Sequence, residues 1–279
     1  MRIDSHQHFW KYDAERDRWI TPDMQVLQQD FLPAHLEGLL KANDFDGCIT
    51  VQADQSEAEN AFLLAAASEN NFIKGVVGWL DFQSEELADK LRYYRQFPLL
   101  KGFRHGLQAE PQRDMMLRPD FMRGIGQLRD HGFVYEVLVL ADQLQFIAAF
   151  VGAFPDQKFV IDHMAKPDIK NGGLERWKTD IAAVAEHENV WCKVSGLVTE
   201  ASWHTWKNED FEPYLDVVVS HFGTGRIMYG SDWPVCLLAA SSYEAQLQVA
   251  TDYFGKFSKS EQAAFYGLNA KEFYTLKDL

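Results

Sequence analysis

VYEVLVL at residues 134–140 and KFVIDH at residues 158–163 are apolar almost without interruption. A strand covered on one face alternates apolar with polar residues, whereas a near-continuous run suits a parallel strand buried on both faces. The segment between them, 141–157, has room for one helix, so the two runs read as one strand–helix–strand unit. Working outward, the pattern repeats. Apolar runs recur at 2–8, 47–53, 74–80, 100–105, 134–140, 159–163, 190–195 and 226–231, which predicts eight strands. Helical segments are predicted at 56–70, 84–97, 119–131, 142–154, 174–187, 210–222 and 243–254, with a last one at 260–266. Ser56 stands three residues before Glu59, the capping-box spacing, and 84–97 opens on acids and closes on cations, as the helix dipole favours. Eight alternating units in 279 residues predict an α/β fold, a single (β/α)8 TIM barrel domain spanning 1–279. The competing doubly wound sheet lacks its G-x-G-x-x-G or G-x-x-x-x-G-K-[ST] signature after any strand. Segments 11–32, 108–119 and 197–209 read as long loops after strands 1, 4 and 7, at the end of a barrel where substrate is selected.

Composition narrows the function class. The chain is 47% hydrophobic and 24% charged, enough apolar material for a sizeable core and unlike a disordered chain. A net charge of −14 repels phosphate backbones and anionic lipids, so neither nucleic acid nor membrane is an expected partner. The longest uncharged apolar stretch, 146–154, is far short of the roughly 20 residues of a membrane span. Cys48, Cys192 and Cys236 are odd in number and far apart, which fits a reducing compartment better than a disulfide framework. MRIDSHQHFW shows no cationic segment leading into an apolar one. A soluble cytoplasmic protein is expected. Exposed helix faces leave a homo-oligomer open.

In a barrel, loops from all units converge only at the C-terminal strand ends, so reactive groups belong there. Strand 1 ends in His6-Gln7-His8, strand 6 in Asp162-His163, and strand 8 leads into Ser231-Asp232-Trp233-Pro234. Residues two apart share a strand face, so His6 and His8 can both point into the mouth. Imidazoles placed that way either grip a metal or polarise a carbonyl. Taken singly, His163 reads as a core histidine and Asp232 as a helix N-cap. Their coincidence at three strand ends points to a catalytic constellation.

DSHQHFW at 4–10, GFRHGLQ at 102–108, DHMAKP at 162–167, KVSGLVTEA at 193–201 and GSDWPV at 230–235 together resemble the amidohydrolase superfamily. Within it they most resemble the sugar-lactonase branch of L-fuconolactonase and L-rhamnono-lactonase type. The resemblance runs from about residue 1 to 270. It implies a barrel that hydrolyses a lactone, with the strand 8 aspartate, Asp232, activating water. It carries over His6, His8, His163 and Asp232 as metal ligands, with Asp232 and His163 catalytic. The chain departs from binuclear members: strand 5 has no histidine, strand 4 offers Arg104 and His105 in place of a bridging ligand, and Glu136 is set deep. Three nitrogens and one carboxylate suit one divalent ion, zinc, with a position left for water. The branch also includes enzymes that act without metal, so the ion stays an open question at this point. No flavin, PLP or nucleotide signature is present.

The implied reaction opens an aldono-1,4-lactone to the aldonic acid. Asp232 accepts a proton from water, and His6, His8, His163, Arg104 or one metal ion answers charge on the carbonyl oxygen. A sugar lactone needs polar contacts and an aromatic platform, and Trp10, Gln52, Arg104, His105, Gln108, Ser195 and Trp233 lie at or just past strand ends. Arg104 and His105 are adjacent, so a regular strand sends them to opposite faces. Lys166 and Lys193 as Schiff-base lysines form a weaker reading. Two alternatives remain: a metal-dependent decarboxylase on the same scaffold, and a non-catalytic sugar- or metal-binding barrel.

Overall fold

The computed structural model describes residues 1–277. All eight predicted strands form: β1 Ile3–Gln7, β2 Gly47–Val51, β3 Ile73–Gly78, β4 Leu100–His105, β5 Val134–Val137, β6 Phe159–Ile161, β7 Val190–Val194 and β8 Ile227–Tyr229. They pair in parallel in the order β1 to β8, with helices between them. Just beyond β8 the chain meets β1: Asp232 N donates to His6 O at 2.8 Å and His8 N to Trp233 O at 2.8 Å. The sheet thereby becomes a (β/α)8 barrel, and closure removes its edges.

Two apolar layers hold it. The larger lies between strands and helices, where Phe82, Phe103, Phe121, Tyr135, Phe150 and Phe159 form a continuous aromatic band. The smaller fills the lower barrel with Ile3, Ile49, Val51, Val77, Val160 and Met228, and the C-terminal Phe273 and Tyr274 plug it from below. All three cysteines are buried and free. Among the described residues no helix is long and apolar enough to cross a membrane.

Differences from the sequence reading fall between the strands. The segment 142–154 splits into a 3-10 turn, Leu144–Phe146, and a short helix, Ile147–Gly152. A helix the periodicity did not bring out, Pro33–Ala42, joins β1 to β2 with proline in its first turn. The loop after β7 folds a one-turn helix, Leu197–Glu200. The helix Glu57–Glu69 keeps only half of its capping box: Ser56 accepts from Glu59 N, but the Glu59 carboxylate turns away to accept from Ala53 N at 3.0 Å.

Beneath the closure sits Asp4, fully buried. It accepts from Ser231 N at 2.9 Å and from the Tyr243 hydroxyl at 3.1 Å. Gly230 lets β8 come this near β1, since a Cβ there meets the His6 Cβ at 2.6 Å. Burial pushes the Asp4 carboxyl up from 3.8 to about 6. A group raised in the folded state holds its proton more tightly when folded. Its contribution to stability is full below about pH 4 and is lost as pH rises through about 6. Asp4→Asn cannot titrate. Its stability deficit against wild type, measured by urea unfolding, is therefore expected to be largest at about pH 4 and smaller by about pH 7. A deficit that does not change with pH contradicts this account.

Candidate active site

The closure hydrogen bonds set His6, His8 and Asp232 side by side. His6 Nε2 lies 3.1 Å from His8 Nε2. The Asp232 Oδ1 atom is 3.4 Å from His8 Nε2, 3.9 Å from His6 Nε2 and 3.9 Å from His163 Nε2. All four side chains are buried. Burial, with the Lys193 ammonium behind it, holds the His6 imidazole well below its ordinary value. Burial also lowers His163, against the pull of Asp232. Both rings are therefore neutral near pH 7. Burial works to raise the Asp232 carboxyl, but His163, His8 and Lys166 outweigh it and keep it below the ordinary value. The Asp232 carboxyl thus lies against His6, His8 and His163 with its pKa held below the ordinary value.

His6, His8 and Asp232 offer ligand atoms within 4.8 Å of one another, a set that fits a divalent ion, and His163 groups with His6 and Asp162 beside it. Ligands at about 2.0–2.1 Å around a tetrahedral ion stand about 3.4 Å apart, close to the separations found here. His8 Nδ1 donates to Val51 O at 2.8 Å, which orients its Nε2 toward Asp232. His163 Nδ1 is 2.8 Å from Ser195 Oγ, a hydroxyl able to donate or accept and so to support the same tautomer.

Under the imidazoles runs a ladder of buried charge. Lys193 Nζ is 2.6 Å from Glu136 Oε2, 3.2 Å from Asp162 Oδ1 and 3.0 Å from His6 Nδ1. Glu136 also accepts from the Tyr274 hydroxyl. Arg104 donates to Asp162 Oδ2 at 3.0 Å and to Gln52 O at 2.5 Å. Asp162 is opposed by its own burial, yet Lys193, His6 and Arg104 hold it well below the ordinary carboxylate value. Lys193 is thus committed to two carboxylates, which removes it as a Schiff-base amine. Asp162 carries a role the sequence reading did not assign it. The signal was there: Arg104 and Lys193 both face a closed interior, and buried cations require anionic partners.

Above lies a cavity of about 440 Å³. His8, Gln52, Arg104, Gln108, His163 and Asp232 line it, with His6 beneath and Ser195 behind His163. Buried Arg104 Nε and Gln108 Oε1 have no hydrogen-bond partner among the described residues. Four expected contacts, Ser195 among them, lie off the cavity lining. Trp10 pairs with Phe31 through two backbone hydrogen bonds, donates Nε1 to Gln29 O at 2.9 Å, and is 2% exposed. Trp233 packs edge-on against Phe9 and Phe31. His105 points outward, as strand alternation requires, to Glu110 at 2.7 Å and the Trp79 indole at 3.3 Å. The aromatic walls of the cavity are instead Trp19 and Trp203, and Lys166 and Glu200 also reach it.

The exits of β6 and β8 carry backbone strain. Asp232 has φ 56°, and His163, Met164, Ala165 and Lys166 have φ 52°, 54°, 57° and 49°. Left-handed conformation at a residue other than glycine costs about 1–2 kcal/mol, and such strain gathers at functional sites. Next to this turn Gly196, at φ 66°, lets the β7 loop pass the His163 ring, which a Cβ would meet at 2.7 Å.

Comparison with known proteins agrees with this geometry. The chain is 39% identical to an L-fucono-1,5-lactonase of Burkholderia multivorans, over 100% of this chain and 97% of that protein. It is 34% identical to an L-fucono-1,5-lactonase of Burkholderia ambifaria, over 99% and 96%. The crystal structure of an amidohydrolase from Burkholderia multivorans with bound zinc superposes with a TM-score of 0.95 at 39% identity, covering 99% of this chain and 100% of that one. The profile of the amidohydrolase family matches residues 3–276. A barrel with its acid and imidazoles at the closing seam, matched over its whole length in these ways, is a hydrolase, and the chain belongs to the amidohydrolase family.

Proposed function

We propose that the protein hydrolyses a sugar-derived lactone to its aldonic acid. The observation that carries this reading is the Asp232 carboxylate, 3.4 Å from His8 Nε2 and 3.9 Å from His6 and His163 Nε2, on the wall of a cavity of about 440 Å³. The expectation of a 1,4-ring gives way to a 1,5-lactone of a deoxy sugar, because the relatives at 39% and 34% identity are named for L-fucono-1,5-lactone.

In the proposed mechanism the Asp232 carboxylate takes a proton from water as the water oxygen adds to the lactone carbonyl. Charge grows on the carbonyl oxygen, and Arg104, pinned by Asp162, is preorganised to answer it. As the tetrahedral intermediate collapses, protonated Asp232 returns the proton to the departing ring oxygen. One carboxyl serves both half-steps. Arg104 Nε and Gln108 Oε1, a buried donor and a buried acceptor without partners, suit the polar groups of the sugar, and Trp19 and Trp203 suit its apolar face. His6, His8, His163 and Asp232 are the residues that would hold a zinc ion. When bound, such an ion supplies Lewis acidity toward the carbonyl and lowers the pKa of water.

The decarboxylase reading needs a cation for the substrate carboxylate, and the charge of Arg104 is already shared with Asp162. The relatives at 39% and 34% identity, both named as lactonases, favour hydrolysis. A panel of aldono-1,4- and 1,5-lactones, followed with a pH indicator, tests it: acid release fastest on L-fucono-1,5-lactone is expected, while silence across the panel with release of carbon dioxide from an aromatic acid overturns it. Asp232→Asn is expected to lower kcat by about 10²–10⁴-fold with its melting temperature retained. Near-wild-type turnover contradicts the assignment. Ser195→Ala, which strips His163 Nδ1 of its partner, is expected to weaken zinc binding by about 10–100-fold in a chelator competition. Unchanged affinity removes Ser195 from that role.

A further inference from the structure

The left-handed turn after β6 does more than present His163. A run of four non-glycine residues in this conformation is disfavoured at each step, and it is closed by a hydrogen bond from Lys166 N to His163 O at 2.9 Å. One tight turn separates the two side chains, and both line the cavity. From the neighbouring strand, Gly196 turns the β7 loop against His163 and starts the short helix whose last residue is Glu200. Two unusual backbone features on adjacent strands thus bring Lys166 and Glu200 together across the cavity wall.

Their pairing is loose. Lys166 Nζ and Glu200 Oε1 are 3.6 Å apart, with the side chains 22% and 23% exposed. That gap is longer than a good hydrogen bond. Lys166 carries three donors and Glu200 several acceptor sites, so both keep capacity facing the cavity. Both side chains line the same cavity as His163 and Asp232, which places the pair beside the reacting centre. Arg104 is assigned to the carbonyl oxygen, whereas neither Lys166 nor Glu200 contacts the reacting atoms in the proposed step. A hydroxyl group both donates and accepts, and an ammonium and a carboxylate set slightly too far apart can close on it from two sides.

We propose that Lys166 and Glu200 form a hydroxyl-reading pair. Lys166 donates to, and Glu200 accepts from, a ring hydroxyl of the bound lactone, so that the cavity selects a polyhydroxylated δ-lactone over a bare one. This rests on the lactonase reading and names the feature of the substrate that the cavity recognises. A site built to hydrogen-bond a hydroxyl discriminates strongly against an analogue lacking it, because its polar groups are then left unmatched.

The test is a cycle between protein and substrate. The kcat/KM of L-fucono-1,5-lactone is divided by that of δ-valerolactone, which has no hydroxyls, for wild type, Lys166→Met and Glu200→Met. The ratio is expected to fall at least about tenfold in each variant, as for loss of a buried polar contact. A ratio unchanged in either folded variant overturns the proposal, whatever happens to the absolute rates. An ion pair that only clamps two loops shifts the melting temperature and leaves the ratio alone. A lysine acting on the carbonyl slows both substrates equally. Lys166→Leu replaces Lys166→Met if the latter does not fold. Should wild type open neither lactone, it is the lactonase reading that fails. Calorimetric binding of a hydroxylated sugar δ-lactam, at least tenfold weaker in both variants or unchanged, then decides for or against the pair independently.

Discussion

The structure depends on the seam where its last strand meets its first. Asp232 N donates to His6 O and His8 N to Trp233 O, and these two hydrogen bonds complete the barrel. A sheet of eight strands left open exposes edge groups, so closure is a requirement of the fold itself. The same contact sets the Asp232 carboxylate 3.4 Å from His8 Nε2. Folding and site assembly are therefore one event. Asp4 and Gly230 support the seam from below, the first by hydrogen bonding and the second by absence of a side chain.

Charge is the second constraint. Arg104, Lys193, Glu136 and Asp162 are all buried in the barrel interior. Each would be costly alone, and each is tolerable because two cations meet two carboxylates at hydrogen-bonding distance. Removing one member leaves an uncompensated buried charge, a loss of about 3–5 kcal/mol. The ladder reaches from Tyr274, at the foot of the barrel, to His6 at its mouth. Through Asp162 it fixes Arg104 at the cavity wall.

Much of this could be read in the residues, and the remainder has identifiable causes. The strands were readable because runs such as VYEVLVL must be covered on both faces. The proximity of His6, His8, His163 and Asp232 was readable because all four fall at or just past strand ends, a position set by chain order. The aromatic walls were not. Trp10 and Trp233 lie closer to strand ends than Trp19 and Trp203, but backbone pairing with Phe31 turns Trp10 into the core, and loop folding brings Trp19 and Trp203 to the cavity. Proximity in sequence to a strand end does not set side-chain direction once a loop begins. The left-handed run 163–166 was also hidden, since neither Met164 nor Ala165 advertises positive φ.

The claim at the centre is that Asp232 moves a proton and does not itself attack the lactone. A single turnover in ¹⁸O-labelled water, with enzyme in excess over L-fucono-1,5-lactone and mass analysis of both product and protein, tests this most directly. The account predicts one labelled oxygen in the carboxylate of the product after the first turnover and none in the peptide containing Asp232. Label appearing in the Asp232 side chain, with an unlabelled first product, contradicts it.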